Sequence, residues 1–171
     1  NIVASGTFGA TAVNDITQIN GTSIAITGVS TLASTSGNIT LDSLTNDFIG
    51  VVSATALNLS LVDTNAITLG NITTTGTLGV TAAGDISQAD PSSILATGIT
   101  TLASTSGSVA LAQSTNNFGT INASGVNVSV ADLGGISLGN ISTTGTLNVA
   151  ANGDVVQAGG SALVVGTNAN I

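Results

Sequence analysis

The sequence predicts an all-β fold, a parallel β-helix (β-solenoid) of about seven coils of 21–25 residues with three short strands each. Three observations point there. The segment GNITTTGTLGVTAAGDISQ (Gly70 to Gln88) returns as GNISTTGTLNVAANGDVVQ (Gly139 to Gln157), with 13 of 19 positions identical. Short stretches alternate apolar and polar residues, the mark of half-buried strands. Strand starts near Leu32, Leu57, Leu78, Leu102, Val126 and Leu147 recur at solenoid-coil spacing.

The long period is 69–70 residues. GVSTLASTSG (Gly28 to Gly37) returns as GITTLASTSG (Gly98 to Gly107), and GTFGATAVNDITQ (Gly6 to Gln18) matches GTLGVTAAGDISQ (Gly76 to Gln88). The 171 residues are thus about two and a half copies of one unit, read as three coils each, in a single continuous segment over 1–171. Antiparallel sandwiches and barrels also carry many short strands and glycine turns, but they do not require self-similarity at a fixed period.

Along the chain, NITL (Asn38 to Leu41), LNLSL (Leu57 to Leu61), AITLGNI (Ala66 to Ile72) and TLGVTA (Thr77 to Ala82) read as strands. Gly37, Gly76, Gly84, Gly107, Gly145 and Gly153 read as turns where positive φ costs little. The expected core columns contain Leu57, Leu59, Leu61, Leu78, Val80, Ile86, Leu102, Val109, Leu111, Val126, Val128, Val130, Leu147 and Val149. Phe48 and Phe118 share one repeat position and are expected to stack inside. Pro91 reads as a surface turn.

The composition narrows the function. Lys, Arg, His, Cys and Glu are all absent, eight Asp are the only acids, and the net charge is −8. With no ordinary general base, thiol or amine nucleophile, the expectation is a non-enzyme. A chain with no cationic side chain repels nucleic acid, so no such partner is expected. No apolar run approaches a membrane span. In a parallel stack, like residues sit about 4.8 Å apart, so columns of one charge would repel whereas Ser, Thr and Asn can form ladders.

The repeated GNI(T/S)TTGTL and TLASTSG segments resemble the shaft repeats of filamentous haemagglutinin-type adhesins, exported by two-partner secretion. The resemblance covers essentially the whole chain and rests on composition and repetition. It implies a right-handed parallel β-helix, secreted to the bacterial cell surface or beyond, that serves as a stalk in adhesion, aggregation or biofilm. The family's N-terminal secretion domain is not recognisable in these residues.

Candidate sites are few. Asp15, Asp85 and Asp154 occupy one repeat position, expected about 14 Å apart along the rod. No cofactor and no metal site are expected; weak surface calcium binding is the one alternative kept, although the dense glycine-aspartate repeat of calcium β-rolls is missing. Seven Asn-x-Ser/Thr triplets begin at Asn20, Asn38, Asn58, Asn71, Asn122, Asn127 and Asn140. Asn38, Asn58, Asn71, Asn127 and Asn140 are kept as candidate glycosylation sites, because alternation turns their middle residue inward and both polar residues outward. A strand reading polar-apolar-polar generates such triplets without glycans. Thr-rich faces also suggest ice binding, but TTT (Thr73 to Thr75) and STT (Ser142 to Thr144) occur only once per unit.

The functional expectation is a structural shaft segment of a secreted filamentous adhesin, with any host or cell-surface ligand bound outside this segment. The alternative is a self-assembling subunit of an extracellular fibre, stacked end to end. Partners on either reading are neighbouring coils or identical chains.

Overall fold

The computed structural model describes residues 1–171, built from twenty-one strands and the turns between them. Every strand pairing is parallel. The chain is therefore a β-solenoid, and it makes about eight turns. Paired residues are separated by 17 (Val52 to Leu69) to 23 positions (Ile86 to Val109). Coils this short raise the count above the seven expected.

Strands stack into faces. The first face holds β1 (Ile2–Ala4), β4 (Ile24–Ile26) and β7 (Asp47–Phe48). The second starts with β2 (Phe8–Ala12), β5 (Ser30–Ser34) and β8 (Val52–Ala56). It continues through the C-terminal half of β10 (Ile67–Thr74) and the N-terminal halves of β13 (Ile94–Ser104) and β15 (Asn117–Gly125). The third runs from β3 (Ile16–Thr17) through β6 (Ile39–Leu41), β9 (Leu59–Asp63) and β11 (Leu78–Ala82). It then takes the C-terminal halves of β13, β15 and β17 (Ile136–Thr143) and ends on β20 (Leu163–Val165).

A fourth face opens after the first has stopped. It comprises the N-terminal half of β10, then β12 (Ile86–Gln88), β14 (Val109–Leu111), β16 (Val128–Asp132), β18 (Leu147–Ala151) and β21 (Ala169–Asn170). After the second face stops, the N-terminal half of β17 opens another with β19 (Val155–Gln157).

This overlap corrects the expected three coils per unit. From β10 to β16 one unit lays down ten strand segments on a three-faced coil, which is three turns and one third. Equivalent residues accordingly change face. Ile2 pairs with Ile24 on the first face, while Ile72 pairs with Ile94 on the second. Phe48 lies beside Ile26, and Phe118 beside Ala96. Asp15, Asp85 and Asp154 precede β3, β12 and β19, so they sit at three different corners instead of in line along the rod.

Inside, 33 buried apolar residues form one cluster. Alternation places Leu59 and Leu61, Leu78 and Val80, and Val128 and Val130 in it, each worth about 1.5–3 kcal/mol when fully buried. Leu57 and Val126, expected in the core, are instead 44% and 40% exposed. They sit at the corner before β9 and β16, where the chain changes direction and the alternation restarts at Leu59 and Val128.

The turn glycines also have a different cause from the one expected. Only Gly21 and Gly160 have positive φ. Gly37, Gly76, Gly84, Gly107, Gly145 and Gly153 are selected by close approach to neighbouring turns: a Cβ on Gly37 would lie 2.5 Å from the backbone of Asn14.

Candidate functional site

Ending a face in the middle of a solenoid creates a physical problem. The last strand loses the neighbour whose carbonyls would accept its N–H groups, and these groups are buried. The chain solves this with side chains around β7, from the corner where it begins and from the end of β9.

Asn46 is fully buried and uses its whole amide. Its Oδ1 accepts from Gln18 Nε2 (2.7 Å) and from the Ile24 N–H (2.9 Å). Its Nδ2 donates to Gln18 Oε1 (2.8 Å) and to the Leu41 carbonyl (3.2 Å). Asp63 is 2% exposed at the end of β9. Its Oδ2 accepts the Phe48 N–H at 2.7 Å, standing in for the absent strand, and its Oδ1 accepts the Asn65 N–H at 2.7 Å and fixes the turn. The ring of Phe48 fills the end of the face.

The same corner recurs one unit later on the next face. Asn116 exchanges two hydrogen bonds with Gln88 (2.7 and 2.8 Å), accepts from Ile94 N–H and donates to the Leu111 carbonyl. Asp132 accepts from Phe118 N–H and Gly134 N–H, both at 2.7 Å. Two independent copies of one buried network mark it as the device that ends a face.

Asp63 has no cation near it. Desolvation raises its pKa above the ordinary 3.8; the hydrogen bonds from Phe48 and Asn65 oppose that rise, and the carboxylate of Asp47 adds to it.

The period of this network is also the period of a known repeat family. A family described as "Repeats of unknown function (DUF5649)" matches residues 1–55, 56–124 and 125–171, the entire chain in three consecutive units. The chain belongs to this family. No curated protein and no solved structure matches it. In DUF5649 terms, Asn46, Asp63 and Phe48 recur one unit on as Asn116, Asp132 and Phe118.

The candidate glycan acceptors fall into two groups in this DUF5649 fold. The inward middle residue holds for all five, since Ile39, Leu59, Ile72, Val128 and Ile141 are buried. Asn58 and Asn127, however, are half-buried parts of a corner ladder. Asn58 Nδ2 donates to Asn38 Oδ1 (2.7 Å), and its Oδ1 accepts from Thr77 N–H and Oγ1–H. Asn127 accepts the same pair of bonds from Thr146, and its Nδ2 donates to Ser108 Oγ. Asn38 Nδ2 donates to Asp15 Oδ1. Asn71 and Asn140 are exposed at a bulge after Gly70 and Gly139, and only their Oδ1 atoms are engaged, by Ser93 N–H and Ala162 N–H.

Of the eight Asp, none gathers with two others into a group able to hold an ion. Sequence reasoning singled out Phe48 and Phe118 but missed Gln18, Asn46 and Asp63 and their copies. The available signal was TNDF (Thr45 to Phe48) recurring as TNNF (Thr115 to Phe118), with an Asp 14–15 residues after each Phe.

Proposed function

We propose that this chain is a section of the shaft of a secreted, cell-surface filamentous adhesin, acting as a rigid spacer in adhesion, aggregation or biofilm formation. The observation that supports this reading is the uninterrupted parallel stacking of strands over the full length of the chain. Each coil adds about 4.8 Å, so a unit of three and one third turns adds about 16 Å of reach.

Secretion and surface location come from the resemblance of the repeats to filamentous haemagglutinin-type shafts. The reading assigns no catalysis to this segment, in keeping with a side-chain set that lacks His, Cys, Lys, Arg and Glu. Host or cell-surface ligands belong to other parts of the parent chain, and the neighbours of this segment are further coils.

The test is the denatured mass and location of the native polypeptide. Peptide mapping needs a protease other than trypsin, because the chain has no Lys or Arg. A chain far above 16.3 kDa, released by protease from the outside of intact cells, is the expected result. A surface species close to 16.3 kDa would turn the reading toward separate subunits stacked end to end, and a polypeptide confined to the cytoplasm would defeat both.

A further inference from the structure

The geometry points to Asn20, at the corner between β3 and β4, as the residue that this chain converts spontaneously to aspartate and isoaspartate. This holds whether or not the chain is a shaft section. Only two Asn precede a glycine, the residue that least hinders ring closure onto the next backbone nitrogen: Asn20 before Gly21 and Asn152 before Gly153. Both Asn and both Gly are exposed, so neither sequence nor exposure separates the two pairs. Their backbones do.

At Asn152 the attacking nitrogen is held. The Gly153 N–H donates to the Gly134 carbonyl at 2.7 Å, and a Cβ on Gly153 would lie 2.8 Å from the nitrogen of Gly135, so this turn is packed against its neighbour with no room to swing. At Asn20 the nitrogen is free. The Gly21 N–H donates to no acceptor, Gly21 takes a φ of 79°, and nothing lies within 4 Å of where its Cβ would stand. The openness belongs to the corner and not to the first coil. The same turn, pinned by the Thr22 hydroxyl on the Ile19 carbonyl (2.6 Å), recurs with Ser92 on Ala89 (2.5 Å) and Ser161 on Ala158 (2.7 Å), and its Asp90, Pro91, Gly159 and Gly160 are exposed too.

The reaction needs only solvent. Gly21 N gives up its proton to solvent and attacks Asn20 Cγ; the bond from Cγ to the side-chain nitrogen breaks, and that nitrogen leaves as ammonia, taking a proton back from solvent. Water then opens the resulting cyclic imide at either carbonyl, giving aspartate from one and isoaspartate from the other. Each product adds a negative charge to a chain of net charge −8, and isoaspartate lengthens by one main-chain atom the turn that seats Gln18 Nε2 on the Thr22 carbonyl (3.1 Å). The copies of this corner cannot react in this way, because Asp90 is followed by Pro91, which has no N–H, and Gly159 has no side chain. At Asn152 the bond to Gly134 must break first, which slows attack by up to about tenfold before the packing of the turn is counted.

The test is incubation of the 171-residue chain in warm, mildly alkaline buffer, both native and in guanidinium, followed by digestion with a protease that cuts before Asp. Asn20 then lies in peptide 15–41 and Asn152 in peptide 132–153. Mass spectrometry reads the amide-to-acid gain in each peptide, an aspartyl product adds a cut at position 20, and isoaspartate-specific methylation reads the other product. The expected result is conversion about tenfold faster at Asn20 than at Asn152 in the native chain, and comparable rates once guanidinium removes the bond to Gly134. Asn20→Gln, at an exposed position, should keep the strands by circular dichroism and remove conversion from peptide 15–41 while leaving peptide 132–153 unchanged. Equal native rates at the two sites, no conversion at Asn20 in the time that the guanidinium-treated chain converts, or conversion of peptide 15–41 that persists in Asn20→Gln would each overturn the assignment.

Discussion

The third face and the corner that ends the first face are built by opposite rules. Along the third face, the coils largely repeat one another: mainly apolar residues inward, mainly short uncharged residues outward, backbone bonded to backbone. At the corner the repetition stops: the buried Asp63 carboxylate takes the Phe48 N–H in place of a strand, the buried Asn46 amide pairs with Gln18 and takes the Ile24 N–H, and the Phe48 ring fills the end of the face. Continuing a solenoid needs only a pattern, whereas stopping one of its faces needs particular residues at particular distances.

The largest expected effect separates the two rules at equal burial. Phe48→Ala should cost about 3–5 kcal/mol, because it removes a fully buried aromatic ring. Leu61→Ala on the running face should fall at the lower part of the 2–5 kcal/mol range. Denaturant titration of both variants measures the difference, and equal losses would mean that the corner is no more exacting than the face.

Next in size is Asn46→Leu. It strands the buried Ile24 N–H and Leu41 carbonyl, at about 1–3 kcal/mol per orphaned group, whereas the half-buried Gln18 amide keeps Thr22 and Ser43. Gln18→Leu combined with Asn46→Leu should recover part of that loss, because both polar partners leave together. A double variant as unstable as the sum of the two singles would show that the amide pair is not one unit.

Asp63 gives the pH signature. Its folded pKa is raised, so folding favours the protonated acid; its contribution is most stabilising below the unfolded value near 3.8 and is lost as pH rises through the higher folded value. Stability measured against pH should therefore show a falling component above about pH 3.8 that Asp63→Asn abolishes. An unchanged pH profile in that variant would contradict the desolvation account.

The smallest effect has the opposite sign. Thr100 is fully buried with its hydroxyl unpaired, so Thr100→Val should stabilise by about 1 kcal/mol. Thr68→Val on the outer ladder, where the hydroxyl meets Ser87 at 3.0 Å beside solvent, should change the midpoint by less than about 0.5 kcal/mol. Thermal melts of the two variants distinguish an inward hydroxyl from an outward one.

Much of this was legible before folding. Alternation marked Leu59, Leu61, Leu78 and Val80 as inward, and the copies at 69–70 residues made a stacked parallel coil the economical solution, because each strand's apolar side then meets its own kind. The corner was less legible. Asn46 and Asp63 read as ordinary turn residues, since local sequence says nothing about which N–H groups lose their neighbour one coil away.

By itself, then, the sequence determined the strand content, most of the inward and outward sides, the repeat length and a side-chain set without His, Cys, Lys, Arg or Glu, all of which follow from local alternation and side-chain type. Only the tertiary structure decided that one unit advances three turns and one third, that Phe48 and Phe118 lie on different faces, and that Leu57 and Val126 are exposed. The reason is geometric. Coil length is set by how many residues each corner consumes before the next strand finds its hydrogen-bond partner, and that is a property of contacts between coils about 20 residues apart.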